Sequence, residues 1–101
     1  MKLITAEESK LPQEVIDMYK VLGKTDNGII CGVHRLVFHW TLHIDISDYS
    51  WEDKYCFRNF HDAIEALLMW DGISDMPGKW NRHLKTGRRR NLETGEEWIA
   101  Y

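Results

Sequence analysis

Two stretches of the chain carry residue types that can do chemistry. The first is "HWTLHIDIS", residues 39–47, with His39, His43 and Asp45. On an α-helix, two histidines four apart stack on one face with Cβ atoms about 5–6 Å apart and can share a metal ion. On a strand each residue advances about 3.3 Å, so the same pair stands roughly 13 Å apart, too far for one ion. The second stretch is "KWNRHLKTGRRR", residues 79–90, which interleaves Trp80 and His83 with Lys79, Arg82, Lys85, Arg88, Arg89 and Arg90. Aromatic faces stack on bases, and guanidinium forks grip phosphate bidentately.

The elements around these residues decide which chemistry is open to them. From Ile29 to Ile46 the chain is rich in β-branched and aromatic residues. Leu36, Phe38, Trp40, Leu42, Ile44 and Ile46 alternate with Arg35, Val37, His39, Thr41, His43 and Asp45, a period of two that favours strand over helix. Eighteen residues is long for one strand, so a bend near Gly32 or a hairpin within the segment is expected. A second strand follows at about Asp53–Phe57, paired antiparallel with the first, making 29–57 a β-hairpin region. On this geometry His39 and His43 share a sheet face but not a metal. With Arg35 and Thr41 they form a polar strip that faces water or a partner.

"SKLPQEVIDMYKVLGK" reads as a helix over 12–22, with Pro12 in its first turn, Glu14 and Asp17 near its positive end and Gly23 as its cap. Leu11, Val15, Met18 (or Tyr19) and Leu22 would form its buried stripe. Gly23-Lys24-Thr25 is not a phosphate loop, because Met18 stands where the earlier glycine is needed and the motif follows a helix. The clearest helix spans 59–71. Asn59 caps it, Asp62 sits in its first turn, and Phe60, Ala63, Ile64, Leu67, Leu68 and Trp70 face inward, with Gly72 closing it. The segment from 79 to 101 is a basic, aromatic arm. Its Thr86-Gly87 and Thr94-Gly95 pairs are either turn tips of short strands or punctuation in a loose arm.

Composition narrows the classes. The chain has 101 residues, 44% hydrophobic and 29% charged, enough for a single globular domain over 1–101. No apolar run approaches the roughly 20 residues of a membrane span, and the N-terminal residues lack the pattern of an export signal. A cytoplasmic location, in whichever cell makes the chain, is therefore the expectation. Cys31 and Cys56 fit no metal spacing and read as small buried hydrophobes. The net charge of −3 hides a segregation: residues 1–78 carry −6, residues 79–90 carry +6, and residues 91–101 carry −3. An acidic body would repel a long polyanion, so the basic segment suits a small anion, a local nucleic-acid contact or an acidic protein patch. Nothing matches a nucleophile elbow or a zinc-protease helix, so no catalytic residues, no metal and no cofactor are expected.

The order of several short motifs resembles that of small proteins of phage and prophage genomes. These motifs are Ile30-Cys31-Gly32-Val33, "KYCF" at 54–57, "WDG" at 70–72, "DMPGKW" at 75–80 and "HLKTGRRR" at 83–90. The likeness covers about residues 29–100 and leaves the N-terminal helix outside. It implies a non-enzymatic binding protein that interferes with host machinery or defence by docking on a host protein. The alternative is a binder that sequesters an anionic nucleotide or nucleic-acid ligand through the basic segment. The fold expected is α+β, a small antiparallel sheet packed against two helices with a basic C-terminal arm. The binding residues expected are Trp80, Arg82, His83, Lys85, Arg88, Arg89 and Arg90, with Arg35, His39 and His43 on the sheet face. Pairing into a homodimer would cover exposed aromatic area.

Overall fold

The alternating segments of the chain assemble into one antiparallel meander. The computed structural model describes residues 1–48 and 50–100. Its strands are β1 (Lys2–Ile4), β2 (Val21–Lys24), β3 (Ile30–Leu36), β4 (His39–Ile44), β5 (Asp53–Phe57), β6 (Trp80–His83), β7 (Arg88–Arg90) and β8 (Glu97–Ile99). They pair in sequence order, each antiparallel to the next. Two single-turn helices, α1 (Ala6–Ser9) and α2 (Gln13–Ile16), lie between β1 and β2, and α3 (Phe60–Met69) lies between β5 and β6. The fold is α+β.

Helix α3 forms where its local signals place it. The Asn59 side chain accepts the Asp62 backbone N–H at 2.8 Å, and the helix ends at Met69 with Trp70 as its cap. Ala63, Ala66 and Leu67 are fully buried and pack with Trp70 against one sheet face. That face is built by Cys31 and Val33 of β3, Leu42 and Ile44 of β4, Tyr55 and Phe57 of β5, and Trp80 of β6. Leu68, expected in the inward stripe, is 44% exposed. Both cysteines are free and buried.

The helix expected over 12–22 is not formed. Only Gln13–Ile16 is helical, and Val21–Lys24 is a strand hydrogen-bonded on both sides, to β1 and β3. Two-sided pairing and close packing override the local pattern. Gly23, expected as a helix cap, lies inside that strand. A Cβ there would meet the Met1 Sδ at 2.6 Å and the Leu67 side chain at 3.2 Å.

The alternating segment at 29–46 is a hairpin. Leu36 stands opposite His39, so Val37 and Phe38 form a two-residue turn. Val37 takes a left-handed backbone, φ 45°, a conformation that β-branched residues rarely adopt. The turn breaks the expected polar strip. Arg35 pairs with Trp40 on the α3 side, whereas His39, Thr41 and His43 lie on the opposite face with Leu36, His34 and Gly32.

The segment expected as a basic arm is three strands of the sheet, β6 to β8. Gly87 (φ 74°) and Gly95 (φ 78°) sit in the turns between them, so the two Thr-Gly pairs are turn tips.

No helix among the described residues is long and apolar enough to cross a membrane.

Candidate functional site

The face of the sheet opposite α3 is covered at one end and open at the other. Over β2 to β4 a second apolar cluster forms from Val15, Leu22 and Ile46, with Ile4, Leu11, Ile16, Tyr19 and Ile30 packed against it. The Tyr19 ring lies on the backbone of Gly32, where a Cβ would come within 2.5 Å of it. Its hydroxyl shares a 2.7 Å hydrogen bond with His43 Nδ1, and His43 Nε2 shares one of 3.1 Å with His34 Nε2. Trp51 stacks on His43 from above, centroids 4.0 Å apart and 17° from parallel. His43 is thus 1% exposed, not the wetted residue its alternation suggested, and Thr41 is fully buried beside it. Burial, then the neighbouring His34 and Lys54, pushes the His43 pKa down to about 3. Burial first, with Lys54 next, also lowers that of His34. Burial raises the Tyr19 pKa to about 12.

Toward β6 to β8 the same face opens, with Arg82 and Trp98 exposed, while Thr41 and Cys56 on β4 and β5 stay buried. One row of directly paired residues crosses it: His34, Thr41, Cys56, Arg82, Arg89 and Trp98, one from each of strands β3 to β8. The outer part of this row floors an open basin of about 340 Å³, walled on the hairpin side by Leu36 and His39 and bordered by Asn81 and Arg90. A second hollow of about 320 Å³ adjoins it, sharing Asn81, Arg90 and Trp98 and reaching Arg58 and Glu93.

Arg82 and Arg89 face each other across β6 and β7. Like charges directly opposite on a sheet destabilise it, because their Cβ atoms are only about 4.5–5.5 Å apart. Among the described residues neither guanidinium has a carboxylate partner. The Nε of Arg89 is buried with no hydrogen-bond partner, a cost that native proteins seldom leave uncompensated.

The other basic and aromatic residues of 79–90 are engaged elsewhere. Trp80 is 3% exposed, donates its indole N–H to the Met76 carbonyl at 3.0 Å, and belongs to the core rather than to a ligand platform. Arg90 stacks on Trp80, 3.8 Å from the ring centroid, and donates to the carbonyls of Trp80 and Gly78 at 2.9 and 2.8 Å. Arg88 lies 5.0 Å from the Trp80 centroid and donates to Glu97 at 2.8 Å. His83 is buried and stacks on Tyr55; its Nε2 lies 2.7 and 2.8 Å from the Asp53 carboxylate oxygens and its Nδ1 lies 2.8 Å from the Thr86 hydroxyl. That carboxylate–imidazole–hydroxyl chain ties β5 to the β6–β7 turn. Lys85 is exposed on the same turn.

Of the residues expected to bind, the basin therefore gathers Arg82, Arg89 and His39, with Arg90 at its border. It separates them from His43 and Arg35 and from the guanidinium of Arg88. Trp98, Asn81 and Leu36 were not expected there. No local pattern marked Trp98, and only the β7–β8 register brings it beside Arg89. No group of three or more His, Cys, Asp or Glu side chains converges to hold a metal among the described residues. No protein-family model matches the chain, and neither the curated proteins nor the solved structures contain a match to it.

Proposed function

We propose that this chain is a non-enzymatic binding protein that captures an anionic ligand of nucleotide or nucleic-acid class on the open face of β6–β8. The observation that carries the reading is the Arg82–Arg89 pair: two arginines set directly opposite on adjacent strands, without a carboxylate among the described residues, one with a buried unpartnered N–H. An anion between them would turn a repulsion into two charge-assisted forks. Trp98 beside Arg89 supplies a ring for a base, as sequence-tolerant nucleotide sites commonly do. The test is calorimetric titration of nucleotides and short single strands against the wild type and an Arg82→Ala/Arg89→Ala variant. The variant loses the binding, and 1 M salt weakens it, because the Debye length falls to about 3 Å. Equal affinity in wild type and variant, at equal melting temperature, overturns the reading.

A second reading has its own observation. The β3–β4 turn presents Leu36, Val37 and Phe38 at 44%, 69% and 86% exposure, an apolar tip with a strained backbone. Such a tip suits docking on a protein. With a motif order that resembles that of small phage and prophage proteins, it supports an inhibitor that docks on a host protein in the bacterial cytoplasm. Pull-down from a bacterial lysate with the wild type and Phe38→Asp tests it; a partner retained equally by both removes the tip from consideration.

A further inference from the structure

We infer that the basin is built for a terminal phosphomonoester carried next to a flat aromatic base, with the phosphate between Arg82 and Arg89 and the base against Trp98. This rests on the anion-binding reading above and narrows it to one chemical class.

Charge comes first. Four arginines lie in β6 and β7, but only two are uncommitted. Arg88 is paired with Glu97, and Arg90 is held by two backbone carbonyls and the face of Trp80. The basin therefore offers two free positive charges, on adjacent strands about 4.8 Å apart. A phosphomonoester carries about −1.5 to −2 at pH 7, which matches the pair, whereas each internal phosphodiester carries only one negative charge. A monoester also presents three terminal oxygens, enough to accept from both guanidinium groups.

The surroundings bound the ligand. Beyond Trp98 the adjoining hollow reaches Arg58 and Glu93, 3.9 Å apart, so a second phosphate following the first in that direction meets a cation already offset by a carboxylate. On the other side the basin ends at Leu36 and the apolar turn. The track of free cations is thus one phosphate long. A polyanion would also meet the −6 carried by residues 1–78. The basin volume, about 340 Å³, is at the small end of ligand sites.

The base has a defined place. Trp98 is 45% exposed and, among the described residues, has no ring–ring partner, unlike Trp40, Trp51 and Trp80. It borders both hollows together with Asn81, whose amide can pair with a base edge. A base stacked on Trp98 leaves the phosphate one strand away, over Arg89.

This chemistry occurs in a free nucleoside monophosphate and at the phosphorylated 5′ end of a nucleic-acid strand. Titration of the intact chain at pH 7.5 compares four probes: adenosine 5′-monophosphate, ribose 5-phosphate, a 5′-phosphorylated tetranucleotide and the same tetranucleotide without that phosphate. The phosphorylated tetranucleotide binds at least about tenfold more tightly than the unphosphorylated one, since charge-assisted bonds are lost with the phosphate. Trp98→Leu weakens the base-bearing phosphates about tenfold and leaves ribose 5-phosphate unchanged. Binding of adenosine monophosphate alone identifies the free nucleotide; binding of the phosphorylated strand alone identifies the strand end; either outcome supports the inference. Equal, measurable affinity for the two tetranucleotides overturns it while leaving an anion-binding face intact. No binding of any probe overturns both.

Discussion

The Nε2 atoms of His34 and His43 stand 3.1 Å apart, and one hydrogen bond fills the space between them. Only one of the two nitrogens can carry the proton in that bond. A second proton would set two N–H groups against each other, next to Lys54, which pairs with His43 across β4 and β5. Trp51 above and the Tyr19 hydroxyl at Nδ1 complete the enclosure.

An acid-sensitive fold follows. The His43 pKa is depressed from its ordinary 6.5 to about 3, so the unfolded chain takes up the proton first. The stability contributed by neutral His43 is complete above about pH 6.5 and is lost progressively as pH falls toward 3. Urea midpoints between pH 8 and 4 measure this. A His43→Phe variant, which keeps the stack on Trp51, shows a shallower fall over that range; an identical slope would contradict the enclosure.

Leu67→Ala destabilises by about 2–5 kcal/mol, because Leu67 is fully buried between α3 and the sheet. Leu68→Ala, one residue on but 44% exposed, changes stability by no more than about 0.5 kcal/mol. Denaturant midpoints of the two variants report which face of α3 is buried.

Gly32→Ala drives a Cβ into the Tyr19 ring and costs about 1–3 kcal/mol. The ring cannot retreat without breaking its bond to His43, so the variant also loses part of the acid sensitivity. A melting temperature equal to the wild type's would mean that Tyr19 is not seated on β3.

Val37→Asn relieves the left-handed strain at the β3–β4 turn and stabilises by about 1 kcal/mol. Asparagine tolerates this backbone where a β-branched residue does not. Thermal melting measures the gain. If the apolar tip docks on a protein, the same variant weakens that docking, and the two effects separate stability from binding.

Part of this protein is legible in its sequence because the signal is local. Asn59 and the apolar spacing through Leu67 define α3, since caps and stripes involve residues within a few positions of one another. The alternation at 39–44 marks β4, the run after the 47–52 turn marks β5, and the Thr-Gly pairs sit at turns, for the same reason. The basic charge of 79–90 is plain as composition. What that charge does is decided by tertiary structure. Strand register depends on partners distant in the chain, and a shift of one residue exchanges the two faces of a strand. Register sets Arg89 opposite Arg82 and beside Trp98 while sending its neighbours Arg88 and Arg90 to Trp80 on the other side. Covering decides the rest. His39 and His43 share one face of β4, yet Tyr19 and Trp51 bury only His43 and leave His39 at the open basin. Val21–Lys24 shows the same hierarchy: its pattern allows a helix, but hydrogen bonds from strands on both sides make it β2.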